Sequence, residues 1–441
     1  MRPTTIGLGL LLAASVAVSP RASAQPGPAT GRVQTVLGPI DPDLLGFTLP
    51  HEHLFVDFLL PDLPVRDRRS GPMTKEFARR FQQLGNIHWI PRTVEENAFW
   101  ERPALTLDMV ERLRPDGSGS SRWGWQTRLN YVLDDESEAD AEVAAYLARG
   151  GRSLVDVTPV GIGRDPARLK RLAERTGLTV VMGTAFYRWP YRSDRVLAMT
   201  VDEMADRMVR DLTEGIDGTG IKAGIIGEIP IDAHSVHLDQ RDGPIPAESV
   251  VRGMWAPRYD LMRAGTARAD EIYDPEELKS LRAAARASRR TGAAITLHAV
   301  DPWIGYLDVL EEEGADLSRV IVGHAAWVMA DTLLARRAFA RGVTVQLDWD
   351  LQTLATGEVS PVGLLLDRVA WAVARGYASQ LTLSLDVCIK VGRKRYGGGG
   401  LTQLQDRILP GLRQRGVSDR DLERITIGNP RRLLTLAPIR P

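Results

Sequence analysis

Eight short runs of apolar and β-branched residues, separated by longer charged amphipathic stretches, restrict the fold of this chain more than any other feature. They lie at 47–55, 154–161, 179–187, 224–229, 294–299, 320–325, 343–350 and 381–387. Such alternation marks βα units, and short links from each helix to the next strand favour parallel neighbours. Helix ends are legible between the runs. In 274–292, Asp274 suits the N-cap, Pro275 the first turn, Glu277 the capping-box position and Gly292 the C-terminal stop. The segment 165–177 repeats this from Asp165 to Gly177, with Leu169, Leu172 and Ala173 on one face, and another helix closes at Gly342. Eight strands with mostly helical connections predict an α/β fold, a (β/α)8 TIM barrel; a doubly wound open sheet is the structural alternative.

Two connections are too long for plain crossovers. One joins the first and second runs and carries Trp89, Trp100, Trp123 and Trp125; the other spans about 230–273. Neither looks self-sufficient, so residues 25–441 are expected to form a single barrel domain with its main insertion between strands 1 and 2. Ahead of it, Arg2, an apolar run and Ala22-Ser23-Ala24 follow the order of a secretory signal peptide, with cleavage expected after Ala24. The expectation is an exported protein, periplasmic or secreted, without stable membrane insertion after processing. The single cysteine, Cys388, excludes an internal disulfide and is expected to be buried. Lys plus Arg equals Asp plus Glu at 56 each, which gives no electrostatic case for a nucleic-acid partner.

Chemistry concentrates at the ends of the runs. His51 and His53 form a His-x-His at the end of the first, and alternation places both on one side of the strand. Glu228 ends the fourth run, His298 the fifth, His324 the sixth and Asp386 the eighth. That is the edge where barrel enzymes build their sites. Four imidazoles and two carboxylates suit a pair of divalent ions such as Zn2+, Mn2+ or Co2+, with Glu228 central enough to bridge them. Asp386 has two candidate duties, as ligand and as acceptor of the proton from an attacking water. Asp348 and Asp350 are candidates for orienting groups or lying at the rim, and Tyr187 and Arg188 for contacting substrate. Lys222 stands about 20 Å from Glu228 along an extended chain and is expected outside the site. His88, His234 and His237 fall in the insertions. The stretch 161–166 lacks a full dinucleotide-binding glycine fingerprint, and no Gly-x-Ser-x-Gly is present, so no further cofactor or serine nucleophile is expected.

These residues lie in motifs that resemble the phosphotriesterase-related branch of the amidohydrolase superfamily. The motifs are GFTLPHEHL at 46–54, LVDVTPVGIGRDP at 154–166, GIKAGIIGEI at 220–229, LHA at 297–299, VGHA at 322–325, SLDVCIK at 384–390 and TIGNPRRLL at 426–434. The resemblance implies a binuclear site in a barrel. His51, His53 and Asp386 match ligands of the more buried ion, His298 and His324 those of the more exposed one, and Glu228 the bridge. In organophosphate- and lactone-degrading members the bridge is a carboxylated lysine; a second group, which this chain resembles, uses glutamate. Relatives often carry histidine before the final aspartate, where Leu385 stands here. Lys390, Tyr396 and the glycines at 397–400 resemble the loop that lies near the pocket mouth.

The function expected from this reading is hydrolysis of an ester-type bond (lactone, carboxylic ester or phosphoester) by a metal-bridging hydroxide. The alternative is cleavage of an N-acyl amide by the same site, or a non-catalytic metal-binding barrel. The expected partners are a small-molecule substrate, two divalent ions with Zn2+ preferred, and a second copy in a homodimer.

Overall fold

The computed structural model describes residues 30–58, 105, 128–188, 191–231, 269–273, 275–299, 303–348, 351 and 361–439. The tryptophans named above, His88, His234, His237, Asp350, the Asp274 cap and the leader at 1–24 lie outside the described residues, as does most of both insertions.

The chain enters through an antiparallel hairpin, β1 (Val33–Thr35) and β2 (Gly38–Ile40). The first barrel strand is β3 (Thr48–Glu52), followed by a short antiparallel pair, β4 (Val56–Asp57) with β5 (Val132–Leu133). Seven further barrel strands follow: β6 (Ser153–Asp156), β7 (Thr179–Thr184), β8 (Ile225–Ile231), β9 (Ile295–Ala299), β10 (Val320–Gly323), β11 (Thr344–Leu347) and β12 (Leu381–Leu383). The eight barrel strands are paired in chain order and every pairing is parallel. Each coincides with one of the eight runs, so the TIM-barrel expectation is met and the open sheet is not.

Parallel strands covered on both faces need apolar side chains on both, and the sequence supplies them. Along β6 and β7, Val155 and Val181 join Ile225, Ala294 and Ile321 in an inner cluster, closed off by Val33, Leu45, Leu433 and Leu434. Leu154, Val180 and Met182 belong instead to the outer cluster, with Leu169, Leu172 and Ala173 of the helix Pro166–Thr176. That helix starts where Asp165 accepts the Arg168 N–H and stops at Gly177, whose φ of +75° places it in the left-handed region. The helix Pro275–Thr291 ends before Gly292, at φ +70°, as the sequence predicts.

Two register irregularities interrupt the pairing, one between Leu49 and Glu52 and one between Ile226 and Ile229. Bulges re-aim side chains, and these two fall at His51 and at Glu228.

Candidate metal centre

All six proposed ligands lie at the C-terminal rim, as predicted. His51 is on β3 with His53 just beyond it, Glu228 is on β8, and His298 is on β9. His324 immediately follows β10, and Asp386 lies three residues past β12. Every one is buried. Both His324 and Asp386 sit in the left-handed region, at φ +51° and +53°. Such backbone is uncommon for residues other than glycine and clusters at functional sites.

Glu228 is the hub. Its Oε2 lies 3.2 Å from His51 Nε2 and 2.9 Å from His298 Nδ1, and its Oε1 lies 3.6 Å from His53 Nε2. Asp386 Oδ1 is 3.2 Å from His53 Nε2, and its Oδ2 is 3.8 Å from His324 Nε2. His324 Nε2 also approaches His298 Nδ1 to 2.7 Å. The donor atoms fall into overlapping groups that could each hold an ion, including His51–His53–Asp386 and Glu228–His298–His324. The convergence of His51 Nε2, His53 Nε2, His298 Nδ1 and His324 Nε2 on the carboxylates of Glu228 and Asp386 is a donor set that suits divalent cations.

The surroundings fix how the rings face. His53 Nδ1 lies 2.8 Å from Thr158 Oγ1, which in turn donates to Phe55 O, leaving Nε2 toward the centre. His324 Nδ1 pairs with Asp348 Oδ1 at 2.6 Å, again leaving Nε2 inward. Gln346 Nε2 donates to Asp348 Oδ2 at 3.0 Å and lies 3.1 Å from His51 Nδ1. Supports of this kind set tautomer and ring orientation. Asp348 therefore belongs among the orienting groups. Thr158 and Gln346 escaped the sequence reading, although Gln346 stands two residues before Asp348 and so on the same side of its strand.

Electrostatics follow from the crowding. Burial pushes Glu228 up, but the charges and hydrogen bonds of His298 and His51 outweigh it and hold the carboxyl well below its ordinary range. Burial opposes protonation of His51, yet Glu228, Asp348 and Asp386 raise it to about 10. His53 and His324 are raised against burial in the same way, by Asp386 and Asp348 respectively. His298 goes the other way, lowered by burial and by the neighbouring His324.

Around the centre, Tyr187 and Arg188 are both buried just beyond β7. The Tyr187 ring lies 5.8 Å from that of His298, nearly edge-on, and packs with Phe58, Tyr191 and Cys388 in a small cluster. Arg192 Nε donates to Tyr187 O and anchors that turn. Cys388 is a free, buried thiol, and burial drives its pKa well up. Leu385 points into the outer apolar cluster, away from the site, as alternation requires. Tyr396 donates to Glu138 Oε1 at 2.6 Å, and Lys390 lies 3.9 Å from Asp134. Lys222 lies ahead of the first residue of β8, on the N-terminal side of Glu228.

A closed parallel barrel whose C-terminal rim gathers four imidazoles, one central glutamate and one aspartate defines a metal-dependent hydrolase of the amidohydrolase superfamily, with a glutamate-bridged binuclear site. The family model described as "Phosphotriesterase family" matches residues 31–241 and 263–434, and the chain belongs to that family. The N-acetyltaurine hydrolase of Dictyostelium discoideum is 27% identical over 419 residues, which are 92% of this chain and 98% of that protein. A solved resiniferatoxin-binding protein from Rhodobacter sphaeroides is similar at TM-score 0.70 and 30% identity, over 93% of this chain and 97% of that one. A mutant of a PTE-like lactonase from Deinococcus radiodurans matches at TM-score 0.59 and 25% identity, over 91% and 99%.

Proposed function

We propose that this protein hydrolyses the amide bond of a small N-acyl amino acid or amino sulfonate. The observation that carries the reading is the pairing of a glutamate bridge with near-full-length similarity to N-acetyltaurine hydrolases. This reverses the order of preference given by the sequence, in which ester-type bonds came first. The similarity to a lactonase supports the ester as second reading.

His51, His53 and Asp386 would hold one ion and His298 and His324 the other, with Glu228 between them. Two divalent ions so held would supply an acidified water and a Lewis acid for the scissile carbonyl. Asp386 takes the proton from the attacking water and returns it to the departing nitrogen, which an amide requires because a free amide anion is a poor leaving group. Tyr187 and Arg188 form the wall beside His298, where the aromatic ring packs on the acyl side and the guanidinium attracts an anionic head group. Zn2+ suits the imidazole-rich set, and Mn2+ or Co2+ also fit it.

The test is hydrolysis of a panel (an N-acetyl amino sulfonate, an N-acetyl amino acid, an aryl lactone, an aryl ester and a phosphotriester) by wild type, Glu228→Ala and Asp386→Asn, with metal content measured in parallel. Amide turnover lost in both variants is the expected result. Turnover confined to the lactone or ester would overturn the amide reading and leave the metal centre standing.

Outside the barrel, residues 1–24 are proposed as an export signal and 25–441 as one domain. N-terminal sequencing of protein exported by a bacterial host, expected to begin at Gln25, tests the first. Among the described residues no helix is long and apolar enough to cross a membrane.

A further inference from the structure

Glu52 lies between His51 and His53 on β3, and strand alternation turns it away from both, toward the seam where the barrel closes. Among the described residues no ladder pairs β3 with β12, which ends at Leu383. The seam is made instead by three successive N–H groups just past β12. Leu385 donates to Glu52 Oε1 at 2.8 Å, Asp386 to His51 O at 3.1 Å, and Val387 to Glu52 Oε2 at 2.9 Å. Ser384 Oγ lies 2.7 Å from Glu52 Oε1 and also accepts the His51 N–H at 3.0 Å. Asp386, at the centre of this grip, has φ +53°.

A side chain that is to accept from the N–H groups on both sides of one residue needs two acceptor oxygens on a rigid plane, which a carboxyl group has. Consecutive N–H groups converging on an anion are a recurring way of fixing an unusual backbone turn. The consequence is directional: the grip leaves the Asp386 side chain facing His53, whose Nε2 is 3.2 Å from Asp386 Oδ1.

We propose that Glu52 is a positioning residue for Asp386, its two oxygens holding the left-handed turn that aims the Asp386 carboxylate into the metal centre. This rests on the reading of Asp386 as ligand and proton acceptor. The chain thus uses His-Glu-His with two outputs, the histidines toward the ions and the glutamate toward the strand that carries the remaining ligand.

The test uses ion-free full-length protein titrated with Co2+, followed by visible absorption and direct metal analysis, in wild type, Glu52→Gln and Glu52→Asp. Glutamine replaces one acceptor by a donor that faces an N–H; aspartate keeps both oxygens but is one methylene short of the double grip. Both are expected to lower Co2+ affinity by about 10–100-fold, alter the absorption bands, and lower kcat with little change in KM. Tyr146→Phe is the control for simple destabilisation, since Tyr146 donates to Phe47 O and Ser153 O on the neighbouring seam; it should lower Tm and leave the Co2+ titration unchanged. A folded Glu52→Gln with the wild-type Co2+ titration and spectrum would overturn the proposal even if turnover fell. If Glu52→Gln does not fold, a wild-type titration of Glu52→Asp overturns it equally. Because Co2+ is read without substrate, a Co2+ effect without amide cleavage removes only the proposed substrate.

Discussion

His324 Nδ1 lies 2.6 Å from Asp348 Oδ1, with the imidazole 5% exposed and the carboxylate fully buried. Burial alone would push Asp348 up, but the charges and hydrogen bonds of His324, with help from His51 and Gln346, hold it well below the usual carboxylate range. The pair fixes His324 with Nε2 toward the centre. Asp348→Asn keeps the shape and loses the charge, and it is expected to weaken metal retention or turnover about 10–100-fold. Metal content after dialysis against a mild chelator, compared with wild type, checks this; full retention would mean that His324 is held otherwise.

Metal uptake should be coupled to protons. In the ion-free protein His51 is raised from 6.5 to about 10, so the stability of its protonated form is fully present below 6.5 and is lost as pH rises toward about 10. Glu228, lowered from 4.5, contributes with the opposite sign: its share is present above 4.5 and is lost as pH falls through the depressed value. The ion-free protein should therefore melt highest between those limits. Ions must displace the imidazole protons, so affinity should rise with pH and binding should release protons. Calorimetric titration in two buffers of different ionisation heat measures the release, and identical heats would contradict it.

Away from the metal centre, Asp211 is buried and accepts from Arg164 Nη1 at 2.9 Å, Thr184 Oγ1 at 2.7 Å and Arg207 Nε at 2.9 Å. The group ties the loop after β6 and the end of β7 to the helix Val201–Thr213. Asp211→Ala leaves the buried Arg164 side chain without its close carboxylate and should cost about 3–5 kcal/mol. Arg207 is 28% exposed, and Arg207→Ala should cost about 1 kcal/mol or less. Urea unfolding of the two variants decides; equal losses would show that Arg164 does not depend on Asp211.

Gly323, the residue before His324, sits against β9. A Cβ there would meet Leu297 O at 2.2 Å and would lie 3.5 Å from His51 Nδ1. Gly323→Ala must therefore push β10 off β9 at the point where two ligands emerge. A loss of about 1–3 kcal/mol is expected, together with weaker metal binding, since overpacking displaces backbone. Thermal melts with and without added metal separate the two effects, and an unchanged metal-induced rise in Tm would count against the second.

The sequence by itself determined the barrel, because the period of apolar residues along each strand and the caps of helices such as Pro166–Thr176 are local properties written in consecutive residues. It also singled out His51, His53, Glu228, His298, His324 and Asp386, since a chemically distinctive residue at the end of an apolar run can be seen without knowing its neighbours. Only the tertiary structure decided how these groups are held. Thr158 reaches His53 across 105 positions of chain, and Glu52 meets the N–H groups of Leu385 and Val387 across more than 330. Such partners are ordinary residue types in ordinary places, and nothing local distinguishes a threonine that orients a ligand from one on the surface. Their roles arise when the barrel closes and brings its first strand against its last, because hydrogen bonds act over about 3 Å in space whatever the separation in sequence.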